Sequence, residues 1–91
     1  MKKVVLLGST GSIGTSTVKV VEDLPDQLQL IGLAAGGNCT LLLEQARKHK
    51  PAVVSINNPG KVNEIQNELG TGTKVYCGNE GLLKLATLAQ L

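Results

Sequence analysis

The residues best suited to chemistry stand seven in a row: Gly8-Ser9-Thr10-Gly11-Ser12-Ile13-Gly14, a G-x-x-G-x-x-G run. It follows the apolar stretch Lys3-Val4-Val5-Leu6-Leu7 and opens a segment of helical period that begins at Ser12. In that setting Gly8 allows a tight turn, Gly11 lets backbone approach a pyrophosphate, and Gly14 permits close helix–strand packing. The helix end behind the run offers unpaired N–H groups and the positive pole of its dipole to phosphates. The hydroxyls of Ser9, Thr10 and Ser12 add donors around the same cradle. The structural alternative is a plain strand-to-helix turn with capping serines. A Walker phosphate loop is excluded, because the only Gly-Lys pair, Gly60-Lys61, is followed by Val62.

The second informative stretch is Leu33-Ala34-Ala35-Gly36-Gly37-Asn38. An NAD-specific site usually places Asp or Glu about 20 residues beyond the glycine run, where it accepts from the ribose 2′-hydroxyl. Here the nearest carboxylates are Asp26, before the strand, and Glu44, well into the next helix. Without an acid nothing repels a 2′-phosphate. Gly36, Gly37, Asn38 and the Thr40 hydroxyl could donate to it at a helix start. NADP(H) is therefore favoured over NAD(H), while a simple turn at Gly36-Gly37 is compatible with either.

The rest of the chain offers little that makes or breaks bonds. His49, the only histidine, lies between Lys48 and Lys50 and reads as a surface residue; a catalytic triad would have to use it. No Asp/Glu/His cluster has metal-ligand spacing. Cys39 and Cys77 read as structural thiols, the latter buried at a strand end, and Tyr76 as sheet packing. The expected site is thus a binding site: Gly8, Thr10, Gly11, Ser12, Ile13, Gly36, Gly37 and Asn38, with no catalytic and no metal-ligating residue.

Positioning these residues requires alternating strands and helices, and the pattern repeats four times. The apolar run to Leu7 reads as a buried parallel strand. Ile13, Thr17, Val20, Val21 and Leu24 then mark one helical face, ended by Pro25. Leu28–Ala34 reads as a second strand. A second helix follows, capped by Thr40, with Leu42, Leu43 and Ala46 inward, and closed by Pro51. Ala52–Ile56 is a third strand. Asn58 caps a helix with Pro59 at its first position and Val62, Ile65 and Leu69 inward. After a turn over Gly70–Thr73 come a short strand, Lys74–Tyr76, and a last helix from Asn79 with Leu82, Leu83, Ala86 and Leu88 or Ala89 inward. Strict alternation implies right-handed crossovers and a parallel sheet covered by helices on both faces. The expected fold is α/β, a Rossmann-like doubly wound sheet cut to about four strands, since Leu91 follows a helix where such a sheet would continue.

Composition agrees. The chain has 91 residues, enough for one small domain, with 42% apolar and 18% charged residues. Fifteen Leu and nine Val supply core material, so charge-driven disorder does not apply. One Tyr, no Phe, no Trp and a net charge of +2 argue against nucleic-acid partners. The apolar run after Lys2-Lys3 is shorter than the roughly 7–15 residues of an export signal. The uncharged stretch from Gln27 to Leu43 is too polar to span a bilayer. Two cysteines without an export signal fit a cytoplasmic protein.

With these residues in view, the chain resembles the N-terminus of 1-deoxy-D-xylulose 5-phosphate reductoisomerases. The similarity rests on Val4 to Gly14 with Thr17-Val18 and Val20-Val21, and on Leu33 to Asn38 with Thr40, Glu44-Gln45 and Pro51. It is close to about Pro51 and looser beyond. The resemblance implies an NADPH-dependent rearrangement and reduction of 1-deoxy-D-xylulose 5-phosphate to 2-C-methyl-D-erythritol 4-phosphate in non-mevalonate isoprenoid biosynthesis, with Mg²⁺ or Mn²⁺. It further implies cofactor contacts at Thr10, Gly11, Ser12 and Ile13, and at Gly36, Gly37 and Asn38 around the adenosine ribose. Residues 1–91 would be the N-terminal part of the cofactor domain. The metal carboxylates, phosphosugar site and C-terminal domain would lie outside it, the fragment would be inactive alone, and the whole enzyme could be a homodimer. One departure concerns position 37, commonly Lys or Arg in that family and here Gly. This forgoes a charge-assisted hydrogen bond worth roughly 1.5–3 kcal/mol, unless Arg47 or Lys48 substitutes. Two other readings of the glycine run are a non-catalytic module sensing a dinucleotide or coenzyme A, and a piece of another NAD(P) oxidoreductase such as a semialdehyde dehydrogenase.

Overall fold

The computed structural model describes residues 2–89; Leu91, on which the expectation of a continuing sheet rests, and the side chain of Ala89 lie outside the described residues. The elements run β1 (Lys2–Leu7), α1 (Ser12–Asp23), β2 (Leu28–Ala35), α2 (Cys39–His49), β3 (Val53–Ile56), a 3₁₀ turn (Pro59–Lys61), α3 (Val62–Leu69), β4 (Lys74–Cys77) and α4 (Gly78–Ala89). All three strand pairings are parallel, and the sheet order is β1-β2-β3-β4.

That order distributes the helices unevenly. Consecutive right-handed crossovers between neighbouring strands all pass over one face. So α1, α2 and α3 share a core in which Val18, Val21, Leu42, Ala46 and Ile65 meet Leu30, Leu33, Val54 and Ile56. Helix α4 alone covers the other face, where Leu85 packs with Ala34 and Val53, flanked by Val5, Tyr76 and Leu88. Both faces are covered, three helices to one. The second layer is thin because two glycines bring it in: a Cβ on Gly81 would overlap the Ser55 side chain, and one on Gly32 would overlap the tip of Leu85.

A bulge in β2 lets one strand serve both layers. Val4 pairs with Leu30 but Val5 pairs with Gly32, leaving Ile31 as an extra residue. Leu28 and Leu30 face the three-helix core before the bulge, and Leu33 and Ala35 face it afterwards. The alternation of period two is shifted by one residue, as an inserted residue requires.

The helical faces differ from those read off the periodicity. In α1 the buried stripe is Gly14, Val18 and Val21, whereas Ile13, Val20 and Leu24 are exposed, Ile13 by 83%. The helix carries two apolar stripes, and the one containing the smallest residue settles on the sheet. In α4 the inward residues are Gly81, Leu85 and, in part, Leu88, while Leu82, Leu83 and Ala86 face out. Close approach through a glycine again decides the face. In α2 Leu42 and Ala46 are buried as expected, but Gln45 joins them and Leu43 is only half-buried. Cys77 is half-buried rather than buried. Asn58 caps the 3₁₀ turn by accepting from Gly60 N at 3.1 Å, with Pro59 first, as read from the sequence; of the expected stripe in α3 Ile65 is buried, while Val62 and Leu69 are half-buried.

Candidate functional site

The loop after β1 folds back on the end of β2. Gly8 has φ of 76°, a conformation that favours glycine, and the N–H groups of Gly8 and Ser9 both donate to the Ala34 carbonyl, at 2.8 and 2.9 Å. Gly11 N–H then donates to the Gly8 carbonyl at 3.1 Å. A Cβ on Gly14 would overlap the Gly8 carbonyl oxygen and lie 2.8 Å from both Gly8 C and Ser9 Cα. Gly14 does allow close packing, but against the Gly8-Ser9 turn that follows β1 rather than against the strand itself. Gly11 is different: a Cβ there would meet only the Gly8 oxygen, at 3.5 Å, an ordinary contact. The protein's own packing does not demand a bare residue at 11.

Gly11 is also the N-cap of α1. It provides no side-chain cap, and the first turn holds no acidic residue. The opening N–H groups of a helix have no intrahelical acceptor, so this end of α1 presents unpaired donors and the positive end of the dipole. Thr10 is half-buried, and Ser12 and Ile13 are exposed beside it. Ser9 departs from expectation. It is fully buried and its Oγ lacks a hydrogen-bond partner, so its hydroxyl is not among the donors of the cradle. Its two backbone groups are held inward instead, the N–H by Ala34 and the carbonyl by Gln45 Nε2 at 2.7 Å.

The second helix end lies at the carboxyl end of the adjacent strand. Gly36 and Gly37 are exposed, with open space where a Cβ would project. The N-cap is Asn38, not Thr40: Asn38 Oδ1 accepts from Leu41 N at 3.1 Å, and Thr40 is an exposed residue inside the first turn. Capping uses the oxygen of Asn38 and leaves its amide NH₂ for other acceptors. No acid stands in this first turn either. Asn57 N–H, from the loop after β3, donates to the Gly36 carbonyl at 2.8 Å and braces the turn.

Parallel pairing of β1 with β2 therefore brings Gly8, Thr10, Gly11, Ser12 and Ile13 to the same sheet edge as Gly36, Gly37 and Asn38. A cleft of about 240 Å³ at the carboxyl ends of the strands is lined by Leu7, Gly8, Ala34, Ala35, Gly78 and Asn79, and of the expected site residues only Gly8 borders it. The cations proposed to compensate for Gly37 are not available. Arg47 pairs with Glu68 and Lys48 with Glu22, at the opposite end of α2.

Glu22 joins α1 to that end of α2, lying 3.2 Å from Lys48 Nζ and 3.4 Å from His49 Nε2. The hydrogen bond from Lys48, with a lesser one from His49, holds its carboxyl below the usual range. His49 is accordingly an inter-helix contact with its side chain only 11% exposed, not a free surface residue. Among the described residues no group of three or more His, Cys, Asp or Glu side chains converges on a possible metal position. No described helix is long and apolar enough to cross a membrane. Gln45 is the residue that sequence reasoning passed over as a participant. The available signal was a polar side chain set among Leu42 and Ala46 on an inward stripe.

Four parallel strands, helices on both faces and a glycine turn leading into an uncapped helix place the chain in the Rossmann-like α/β class. Comparison with known proteins narrows this. The family model for 1-deoxy-D-xylulose 5-phosphate reductoisomerase matches residues 4–91, and the chain belongs to that family. It is 43% identical to the reductoisomerase of Microcystis aeruginosa over 94% of its own length, and 44% identical to that of a Synechococcus strain over the same share. It superposes on the Zymomonas mobilis reductoisomerase in complex with NADPH with a TM-score of 0.85, at 31% identity over 93% of the chain. A reductoisomerase in complex with NADPH, fosmidomycin and magnesium gives a TM-score of 0.86 at 26% identity. The chain spans 22–23% of the length of these relatives. Family membership sets aside the semialdehyde dehydrogenase alternative.

Proposed function

We propose that this chain is the NADPH-binding part of a 1-deoxy-D-xylulose 5-phosphate reductoisomerase, the cytoplasmic enzyme that converts 1-deoxy-D-xylulose 5-phosphate to 2-C-methyl-D-erythritol 4-phosphate. The observation that carries the reading is Gly11: a bare, uncapped helix start whose missing side chain nothing inside the protein requires. The N–H groups at the start of α1, with Thr10, Ser12 and Ile13, bind the pyrophosphate. Gly36, Gly37 and Asn38 receive the adenosine ribose and its 2′-phosphate, and the absence of a carboxylate there admits the phosphate. When bound, NADPH supplies the hydride of the reductive step. This chain's own residues bind and orient; none acts as a catalytic acid, base or metal ligand.

The phosphosugar and the divalent metal, Mg²⁺ or Mn²⁺, belong to the part of the relatives that this chain does not span, and the whole enzyme is a homodimer. Structural neighbours of this chain are reductoisomerases in complex with magnesium. The 91-residue chain alone would then bind cofactor without turning over substrate.

The test is a titration of the isotope-labelled chain with NADPH and, separately, NADH, followed by amide chemical shifts. Shifts should concentrate in residues 8–14 and 36–38, and NADPH should bind the more tightly, by a margin that shrinks as salt rises. No shift in residues 8–14 at millimolar NADPH removes the proposal.

A further inference from the structure

We propose that Gln45 is a positioning residue that sets the direction of the Thr10 N–H by gripping the Ser9 carbonyl; the inference rests on the dinucleotide reading above. Gln45 is 6% exposed and its Nε2 lies 2.7 Å from Ser9 O, across 36 residues of sequence. Among the described residues no other side-chain hydrogen bond reaches the segment Gly8–Gly14 from another element. Ser9 is thus gripped on two sides, its N–H by the end of β2 and its carbonyl by α2.

A trans peptide is planar, with C=O and the following N–H pointing in opposite directions. Holding the Ser9 carbonyl against the buried face of α2 therefore turns the Thr10 N–H away from α2. The contact also ties the turn before α1 to the middle of α2, the helix whose start forms the other half of the site. A pair of donor surfaces fixed in advance binds a bridging ligand more tightly than a pair that must first be aligned.

The energetics favour positioning over packing. Gln45 Oε1 and Ser9 Oγ are both buried without a partner. Buried unpaired polar atoms are costly, and an apolar residue would continue the inward stripe of Leu42 and Ala46 without that cost. Departures of this kind from the stable choice gather at functional sites.

The experiment uses Gln45→Met, close in shape but without the donor, and Gln45→Glu. Each is compared with the wild type for NADP⁺, which engages both helix ends, for adenosine 2′-phosphate, which engages the α2 end, and for thermal midpoint. In Gln45→Met, NADP⁺ should bind about tenfold more weakly, while adenosine 2′-phosphate stays within about twofold and the midpoint does not fall. In Gln45→Glu a carboxylate faces the Ser9 carbonyl and weakens NADP⁺. Lowering the pH protonates this buried carboxyl, which then donates to Ser9 O, so affinity relative to wild type recovers. Equal NADP⁺ binding by wild type and Gln45→Met overturns the inference alone. Parallel loss of both ligands with a lowered midpoint, or Gln45→Glu without pH-dependent recovery, overturns it in favour of a structural role. A wild type that binds neither ligand overturns the dinucleotide reading and this inference with it.

Discussion

Two glycines three residues apart, Gly11 and Gly14, should fail in opposite ways when each is given a single methyl group. At Gly14 the added Cβ meets the Gly8 carbonyl oxygen, Gly8 C and Ser9 Cα, all backbone atoms, so no rotamer change relieves it and α1 must lift from β1. Overpacking costs up to about 3 kcal/mol, and the better helix propensity of Ala returns at most about 1 kcal/mol. The net loss is about 2 kcal/mol, a drop of about 8–16 °C in thermal midpoint for a domain of this size. At Gly11 the backbone, with φ of −78° and ψ of 176°, is open to any residue, and the Cβ makes one ordinary contact. Ala there restricts the unfolded chain, worth about 0.4–1 kcal/mol, and is a poorer N-cap than Gly by a similar amount. Stability should therefore change by less than about 0.5 kcal/mol, while the methyl group stands where backbone must approach the pyrophosphate. NADPH affinity should fall at least tenfold. Thermal unfolding by circular dichroism and calorimetric NADPH titration on both variants decide the matter. Gly11→Ala binding as well as wild type, or Gly14→Ala melting with wild type, would refute the assignment of roles.

Two further expectations concern charge. Gly37→Lys has open space for its side chain and returns a cation to the ribose end; calorimetry should show the NADPH-over-NADH preference rising about three- to tenfold at low salt and falling back at high salt, a surface pair being worth about 1 kcal/mol. Glu22 has its carboxyl held low, chiefly by Lys48, so its stabilising effect is complete above the unfolded carboxylate range, about 4.3, and is lost as pH falls through the lower folded value. Glu22→Gln should thus melt below wild type at pH 7, with the gap closing as pH falls through the acid range; a gap that does not shrink on acidification would show that the ion pair is not its source.

Much of this was legible in the chain. The run Lys3–Leu7, the change of period at Ser12, Pro25, Pro51 and the Asn58-Pro59 start each report local backbone preference, which neighbours in sequence encode. The glycine run was legible for the same reason, since a positive φ at Gly8 and a bare residue at Gly14 are demands of the turn itself. The missed cap at Asn38 is a near neighbour of the residue chosen, because Asn and Thr side chains both accept from the second or third N–H of a helix and only the entry angle of the chain selects between them.

What the amino-acid order determined, then, was the succession of strands and helices and the chemistry of the turns between them. Which way each helix faces was decided only by the assembled sheet. Helix α1 offers Ile13, Val20 and Leu24 as readily as Val18 and Val21, and α4 offers Leu82 and Leu83 as readily as Leu85. The choice falls to whichever stripe contains a glycine small enough to touch a strand or the turn that follows it. The inward turn of Ser9, its grip by Gln45, and the diversion of Arg47 and Lys48 to Glu68 and Glu22 have the same origin. They join residues 21 to 36 positions apart, whose meeting depends on parallel strand order, and no local pattern records that distance.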